Sequence, residues 1–171
     1  AKYDRAESLY LRALAIKENI YGPNHPAVVV SLNNLAELAK TRARFDEAEP
    51  LYKRSLAIRQ NTLGPEHPKV ALSLNNLAGL YTAQKKYDMA LPLYRRALKI
   101  NQNAFGPNHP ALAHTLNNLA VLYETQQKYL HAETFFKRAL AISLNSPNPN
   151  YITIAASLNN LASLYKNTGN Q

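Results

Sequence analysis

The pentapeptide Leu32-Asn33-Asn34-Leu35-Ala36 determines the organisation of the chain. The same five residues begin again at Leu74, Leu116 and Leu158, so each copy starts 42 residues after the one before it. A constant period of this length is typical of repeat proteins, in which one supersecondary unit stacks on copies of itself. Because such a unit cannot bury its apolar face alone, neighbouring units are expected to share one core.

Each unit contains two amphipathic helices. In the unit that begins at Leu74, apolar residues recur at i, i+3, i+4 and i+7, which is the spacing of one helix face. A second stripe of the same kind follows at Ala90, Leu93, Tyr94, Ala97 and Leu98. No stretch alternates with a period of two, so we predict an all-α fold in one domain over residues 1–171. The predicted helices span residues 3–20, 26–41, 45–62, 68–83, 87–104, 110–125, 129–144 and 151–167.

The first three units are joined to the next by the loop sequence Gly-Pro-x-His-Pro. Glycine followed by proline is typical of a helix end, and a proline at the next helix start loses no hydrogen bond. The loop histidines are His25, His67 and His109. Equivalent atoms of stacked repeats lie about 10 Å apart, whereas a zinc ion needs nitrogens within about 2.1 Å. We therefore predict loop or helix-start histidines and no metal site.

Composition narrows the possible function classes. The chain has no cysteine, which excludes a disulfide framework and a cysteine nucleophile and fits a reducing, cytoplasmic location. No apolar run approaches the roughly 18 residues that span a bilayer, so we predict no membrane insertion. The sequence lacks a glycine-rich phosphate loop, a His-Glu-x-x-His pair and a Gly-x-Ser-x-Gly motif. These absences predict a protein that is not an enzyme and binds no cofactor.

The net charge of +9 is concentrated on the second helix of each unit and at the turns. One arginine per repeat lies off the apolar stripe and is predicted to face the convex side, at Arg12, Arg54, Arg96 and Arg138. Two i, i+4 pairs are expected to stabilise second helices by about 0.3–0.5 kcal/mol each. These pairs are Glu49–Lys53 and Glu133–Lys137.

Further basic residues occur at the turns between the two helices of a unit, at Arg42, Arg44, Lys85, Lys86 and Lys128. They would favour an acidic partner by electrostatic steering, and the alternative is a solvated basic surface. Nucleic-acid binding would rest on charge alone, since most tyrosines occupy helix-packing positions and not a stacking platform. We rank that function last.

These residues resemble the tetratricopeptide repeat, whose usual unit is about 34 residues long. The segment Leu-Asn-Asn-Leu-Ala-x-Leu-Tyr stands where that family has its Trp, Leu-Gly and Tyr positions. The longer period and the Gly-Pro-x-His-Pro loop are similar to the 42-residue subtype found in kinesin light chains. The resemblance covers essentially the whole chain and implies a right-handed α-α superhelix of eight helices.

The resemblance also implies a peptide-binding site, because first helices in this family line a concave groove that commonly binds an extended peptide. The groove-facing candidates are the first asparagines of each copy and the residues one turn later: Asn33, Asn75, Asn117, Asn159, Glu37, Gly79, Val121 and Ser163. An asparagine amide can donate to and accept from peptide backbone of any sequence. The alternative is a structural asparagine that satisfies neighbouring groups. Both interpretations stay open for the second asparagines, Asn34, Asn76, Asn118 and Asn160.

We therefore expect a protein–protein interaction scaffold that binds a peptide segment of a partner. If the likeness to kinesin light chains extends to ligand choice, an acidic peptide with an aromatic anchor is the first ligand to test. A structural spacer or self-assembly module that stacks end to end is the alternative. The eight predicted helices include no obvious polar capping helix, which solenoids normally need, so we expect the chain to belong to a longer array.

Overall fold

The computed structural model describes residues 2–149 and 151–169, which form eight α-helices, two short 3-10 helices and no strand. The helices are α1 Lys2–Tyr21, α2 Val29–Thr41, α3 Phe45–Leu63, α4 Pro68–Ala83, α5 Tyr87–Phe105, α6 Ala113–Thr125, α7 Tyr129–Leu144 and α8 Tyr151–Asn167. The 3-10 helices Pro26–Val28 and Pro110–Leu112 lead into α2 and α6. When the 3-10 helices are counted as the first turns of α2 and α6, every helix end lies within one residue of its predicted position. The all-α prediction is confirmed.

Even-numbered helices are the first helices of the repeats, and odd-numbered helices are the second helices. The chain divides into two compact units, residues 1–90 and 91–171. In the first unit α1 packs on α2, α2 on α3 and α3 on α4, and the first helices α2 and α4 also touch. In the second unit α6 packs on α7, α7 on α8, and α6 touches α8. A single core that is continuous over the whole chain stays a prediction.

Small and large side chains alternate where helices pack. Ala48 and Ala132 are completely buried, and the large residues one turn later, Tyr52 and Phe136, are 1% and 0% exposed. Alanine at such a contact lets two helix axes approach to about 8–10 Å. In the first unit the core also contains a cluster of branched side chains from α1, α2 and α3, formed by Leu14, Val28, Val29, Leu32, Leu35 and Ile58.

The turn inside each hairpin uses a left-handed residue that is not glycine. Ala43, Lys85 and Gln127 have φ values of 56°, 58° and 59°. In the first of these turns the N–H of Arg44 donates to the carbonyl of Ala39 at 2.8 Å, and the other two turns repeat this bond. This bond joins the residue after the left-handed one to the last turn of the first helix, as in a Schellman cap. The loops between repeats use glycine instead, with φ of 87–89° at Gly22, Gly64 and Gly106.

The loop histidines cap the following helices. Nδ1 of His25, His67 and His109 accepts a hydrogen bond from the N–H two residues later, at 3.1, 3.0 and 3.2 Å. This satisfies one of the donors that a helix start leaves without a partner. The prediction that these are helix-start residues is confirmed.

Two arginines of the predicted column also bind the loops. Arg138 donates to the carbonyl of Pro107 at 3.1 Å, and Arg54 donates to the carbonyl of Pro23 and to Glu18. These arginines therefore have a structural role in holding the preceding loop against the second helix. The prediction that the column faces the convex side is not tested by these bonds.

Candidate protein-binding surface

The first helices α2, α4 and α6 each present one face to solvent, and α8 is exposed on more than one face. In α2 the exposed residues Val30, Asn34, Glu37 and Thr41 follow a helical spacing and form a single stripe. We call the solvent-facing stripes of the first helices the first-helix surface. In the first unit it comprises Val30, Asn34, Glu37, Thr41, Leu72, Asn76, Gly79 and Ala83. In the second unit it comprises His114, Asn118, Val121, Thr125, Ala156, Asn160, Ser163 and Asn167.

The second asparagine of each copy lies on this surface. Asn34 is exposed, and Asn76, Asn118 and Asn160 are half-buried. Apolar side chains stand one turn earlier on the same stripes, with Val30 at 57% and Leu72 at 49% exposed. The surface thus combines amides, which can pair with peptide backbone, and apolar side chains, which can form pockets.

The first asparagines of α2 and α4 are less exposed than the second asparagines of those helices. Asn75 is only 2% exposed, Asn33 and Asn117 are half-buried, and Asn159 alone is exposed. Nδ2 of Asn117 in α6 donates to Oγ of Ser157 in α8 at 3.0 Å. This bond favours the structural interpretation for Asn117. Ligand binding by the first asparagines stays a prediction.

Among the predicted site residues, Glu37 has a carboxylate that is hydrogen-bonded to two other side chains. Its Oε2 accepts hydrogen bonds from Tyr52 Oη and Lys40 Nζ, each at 2.7 Å. Burial raises the pKa of Glu37, but the hydrogen bonds from Lys40 and Tyr52 outweigh it, so that the pKa lies below its usual value. Glu37 therefore places a fixed negative charge on the first-helix surface. The equivalent residues Gly79, Val121 and Ser163 carry no charge.

A column of buried hydroxyls was missed by sequence reasoning. It consists of the residue before the first leucine of each copy, Ser31, Ser73, Thr115 and Ser157, none of which is more than 3% exposed. Lys17 of α1 donates to Ser31 of α2 at 3.0 Å, and Arg59 of α3 donates to Ser73 of α4 at 2.9 Å. Ser31 and Ser73 thus join a second helix to the next first helix, whereas Ser157 of α8 bonds to Asn117 of α6. Their constant spacing of 42 residues is the sequence feature from which this column could have been predicted.

The basic turn residues divide into two groups. Arg42 pairs with Asp4 and Glu7 at 2.9 and 2.8 Å, and Arg44 pairs with Glu7 at 2.9 Å. By contrast, Lys85, Lys86 and Lys128 are exposed and form no ion pair among the residues that the structure describes. Two pairs predicted within second helices, Glu49–Lys53 and Glu133–Lys137, are confirmed at 2.7 Å each.

Within residues 2–149 and 151–169 no three metal-ligating side chains come together. No helix in that part of the chain has the length and apolar character needed to cross a membrane.

An all-α chain built from repeated helix hairpins is a helical repeat protein. The sequence profile of the tetratricopeptide repeat family matches residues 1–61, 32–102 and 69–145. The chain therefore belongs to the tetratricopeptide repeat family, whose members generally mediate protein–protein interaction or act as scaffolds.

Solved structures share this fold. BtubC (BKLC) from P. vanneervenii is 30% identical with a TM-score of 0.78; the alignment covers 97% of this chain and 66% of BtubC. A Podosopora anserina protein assigned as a kinesin light chain, with nearly identical TPR-like repeats, is 24% identical with a TM-score of 0.73; the alignment covers 99% of this chain and 80% of that one. The chain therefore has kinesin-light-chain-like repeats and spans just under two thirds of BtubC. No curated protein matches it in sequence.

Proposed function

We propose that this chain is a non-catalytic, cytoplasmic protein-binding module that receives an extended segment of a partner protein on its first-helix surface. One observation carries the proposal: an amide and an apolar side chain recur on the solvent-facing stripes of α2 and α4, at Asn34 with Val30 and at Asn76 with Leu72. Amides pair with the backbone of a bound segment, and apolar side chains bind every second side chain of that segment.

This proposal assigns binding to other asparagines than the sequence-based prediction does. The first asparagines were the main candidates, but Asn75 is buried and Asn117 is hydrogen-bonded to Ser157. In α2 and α4 the second asparagine is more exposed than the first. Asn34 and Asn76 therefore become the principal binding residues of the first unit, and the carboxylate of Glu37, one turn after Asn34 on α2, is paired with Lys40.

The test compares two variants with one probe. The probe is a fluorescent peptide with one aromatic residue among acidic residues. We expect the double variant Asn34→Ala, Asn76→Ala to bind it roughly tenfold more weakly, since each lost hydrogen bond from a side-chain amide contributes about 0.5–1.5 kcal/mol. The matched control is Asn61→Ala, an exposed asparagine on the second helix α3. Equal affinity of the double variant and the wild type, with unchanged thermal unfolding, would exclude this surface.

A second candidate is end-to-end self-association, which exposed apolar residues on α1 and α8 favour. Ile16 is 49% exposed in α1, whereas Ile58 at the same position in α3 is 3% exposed. Leu158 of α8 is 50% exposed, whereas Leu116 of α6 is completely buried. Light scattering against protein concentration separates the candidates, since a chain that stays monomeric at high concentration does not self-assemble.

A further inference from the structure

Two successive turns of the first unit differ in how their charges are arranged. At the turn after α2, Arg42 and Arg44 extend to the start of α1 and pair with Asp4 and Glu7 at 2.8–2.9 Å. The side chains of both arginines are only 30% exposed. This first turn is therefore closed by internal ion pairs and has little net charge to offer a partner.

One repeat later the same positions hold different residues. Gln84 stands at the position of Arg42 and Lys86 at that of Arg44, while Asp46 and Glu49 stand at the positions of Asp4 and Glu7. Gln84 is shorter than arginine and uncharged, so it cannot form the ion pair that Arg42 makes. An open cleft of about 410 Å³ occupies this place, lined by Ala43, Phe45, Asp46, Ala83, Gln84, Lys85 and Lys86.

The chemistry of this turn cleft selects an anionic occupant. Lys85 and Lys86 are exposed, and neither they nor Asp46 forms an ion pair among the described residues, so the residues that line the cleft have an excess of one positive charge. Glu49 also interacts electrostatically with Lys86, but its carboxylate is already paired with Lys53 at 2.7 Å. Phe45, half-buried, gives it an apolar wall. A carboxylate next to an apolar side chain matches both features.

We propose that the turn cleft binds an acidic residue of a partner protein, with its carboxylate between Lys85 and Lys86 and a neighbouring apolar side chain against Phe45. This inference rests on the proposed function, because it names the chemistry of the segment that the first-helix surface receives. Ala83 belongs to both surfaces, so a segment bound along α4 reaches the cleft at the end of that helix. The sequence predicted that five basic turn residues would attract an acidic partner. The present proposal assigns that role to Lys85 and Lys86.

A protein segment fits this cleft better than a nucleic acid. Phosphates of a nucleic acid would be attracted by the same lysines, but tight binding needs many phosphate contacts. The cleft offers only two cations, with Asp46 beside them.

The first experiment removes the two charges without changing the turn. In the next repeat Gln127 occupies the position of Lys85 with φ of 59° against 58°, so glutamine is compatible with this backbone. The double variant Lys85→Gln, Lys86→Gln is compared with Arg95→Gln, Lys99→Gln, which removes the same charge from exposed positions on α5. The probe is a fluorescent glutamate-rich peptide with one phenylalanine, together with its glutamine counterpart. We expect roughly tenfold weaker binding for the first variant and less than about twofold for the control, at about 0.1 M salt.

The second experiment adds charge instead of removing it. Gln84→Arg reproduces the arrangement at Arg42, so the new guanidinium is expected to pair with Asp46 and fill the cleft. We expect it to weaken peptide binding severalfold although the protein gains a positive charge. Simple attraction between unlike charges requires the opposite, so tighter binding by Gln84→Arg would overturn the proposal. Thermal unfolding of each variant verifies that the fold is retained.

The remaining outcomes separate this inference from the proposed function. If the change of Asn34 and Asn76 weakens peptide binding and the change of Lys85 and Lys86 does not, the turn cleft is wrong and the first-helix surface stands. If neither change weakens binding, both proposals are wrong. Tighter binding of a single-stranded oligonucleotide than of the glutamate-rich peptide, lost in the lysine variant, would overturn the proposal in favour of nucleic acid.

Discussion

Tyr52 of α3 donates its hydroxyl hydrogen to Glu37 of α2 at 2.7 Å, and this bond connects the core of a hairpin to its solvent-facing surface. The ring of Tyr52 is 1% exposed, whereas Glu37 lies on the first-helix surface. Burial and the negative charge of Glu37 raise the pKa of Tyr52 far above its usual value, so the phenol stays protonated and remains a donor. One residue therefore contributes both to packing and to the orientation of a surface carboxylate.

Tyr52→Phe is expected to destabilise the fold by about 1–2 kcal/mol, since a hydrogen bond to a charged acceptor is lost. The ring packing should persist because Phe136 fills the same position in α7. The pKa of Glu37 is lowered in the folded state, so its contribution is present above its unfolded-state value and is lost as pH falls through the folded value. Urea unfolding at about pH 7 and about pH 3 should show a smaller difference between wild type and variant in acid. An equal difference at both pH values would contradict this role.

Gly64→Ala is expected to destabilise the fold by about 1–3 kcal/mol. Gly64 ends α3 with φ 87° and ψ 152°, a region that residues with a side chain rarely adopt. No atom lies within 4 Å of the position of an added Cβ, so the cost comes from the backbone and not from a clash. Ala43→Gly makes the reverse change at a left-handed turn and is expected to stabilise by up to about 1 kcal/mol. Thermal unfolding of both variants is the measurement, and the same sign for both would refute the argument.

His67→Ala is expected to cost about 1 kcal/mol of stability, because Nδ1 of His67 accepts from the N–H of Lys69 at the start of α4. His67→Asn provides another cap acceptor and should restore most of the loss. Chemical denaturation of the three proteins measures the effect. If both variants lose the same stability, the imidazole acts through packing and not as a cap.

The helix boundaries could be predicted from sequence because they depend on residues with special backbone chemistry. Gly64 supplies a positive φ at a helix end, and Pro68 fits the first turn of the next helix. Because the repeat is 42 residues long, each boundary found in one repeat predicts a boundary 42 residues away in the next. The identity of the cap acceptor at His67 required atomic positions, since histidine is not among the residues that usually cap helices.

The orientation of the asparagines could not be predicted. Asn33 and Asn34 are adjacent and lie between the buried residues Leu32 and Leu35. A small rotation of the helix about its axis would therefore decide which of the two asparagines faces solvent. Packing of α2 against its neighbours decides the rotation and leaves Asn34 the more exposed. The pairing of Arg42 with Glu7 was likewise hidden, because the two residues lie 35 positions apart in different repeats.

The bond between Asn117 and Ser157 provides a test of what the first asparagines do. Nδ2 of Asn117 and Oγ of Ser157 are 3.0 Å apart, and Ser157 is completely buried. Removing either partner leaves a buried polar group without its bond, which is expected to cost about 1–3 kcal/mol. Removing both should cost less than the sum, with a coupling of about 1 kcal/mol in a double-mutant cycle of Asn117→Ala and Ser157→Ala. Urea unfolding of the four proteins measures this coupling.

Peptide affinity of the wild type, Asn117→Ala and a further variant, Asn118→Ala, separates structure from binding. If Asn117 is structural, Asn117→Ala should lower stability and leave the affinity for an acidic aromatic peptide within about twofold of the wild type. Asn118→Ala, its neighbour on the first-helix surface, should show the reverse pattern, because its half-buried amide lies on the solvent-facing stripe. A loss of affinity for Asn117→Ala without a loss of stability would return the first asparagines to the binding site.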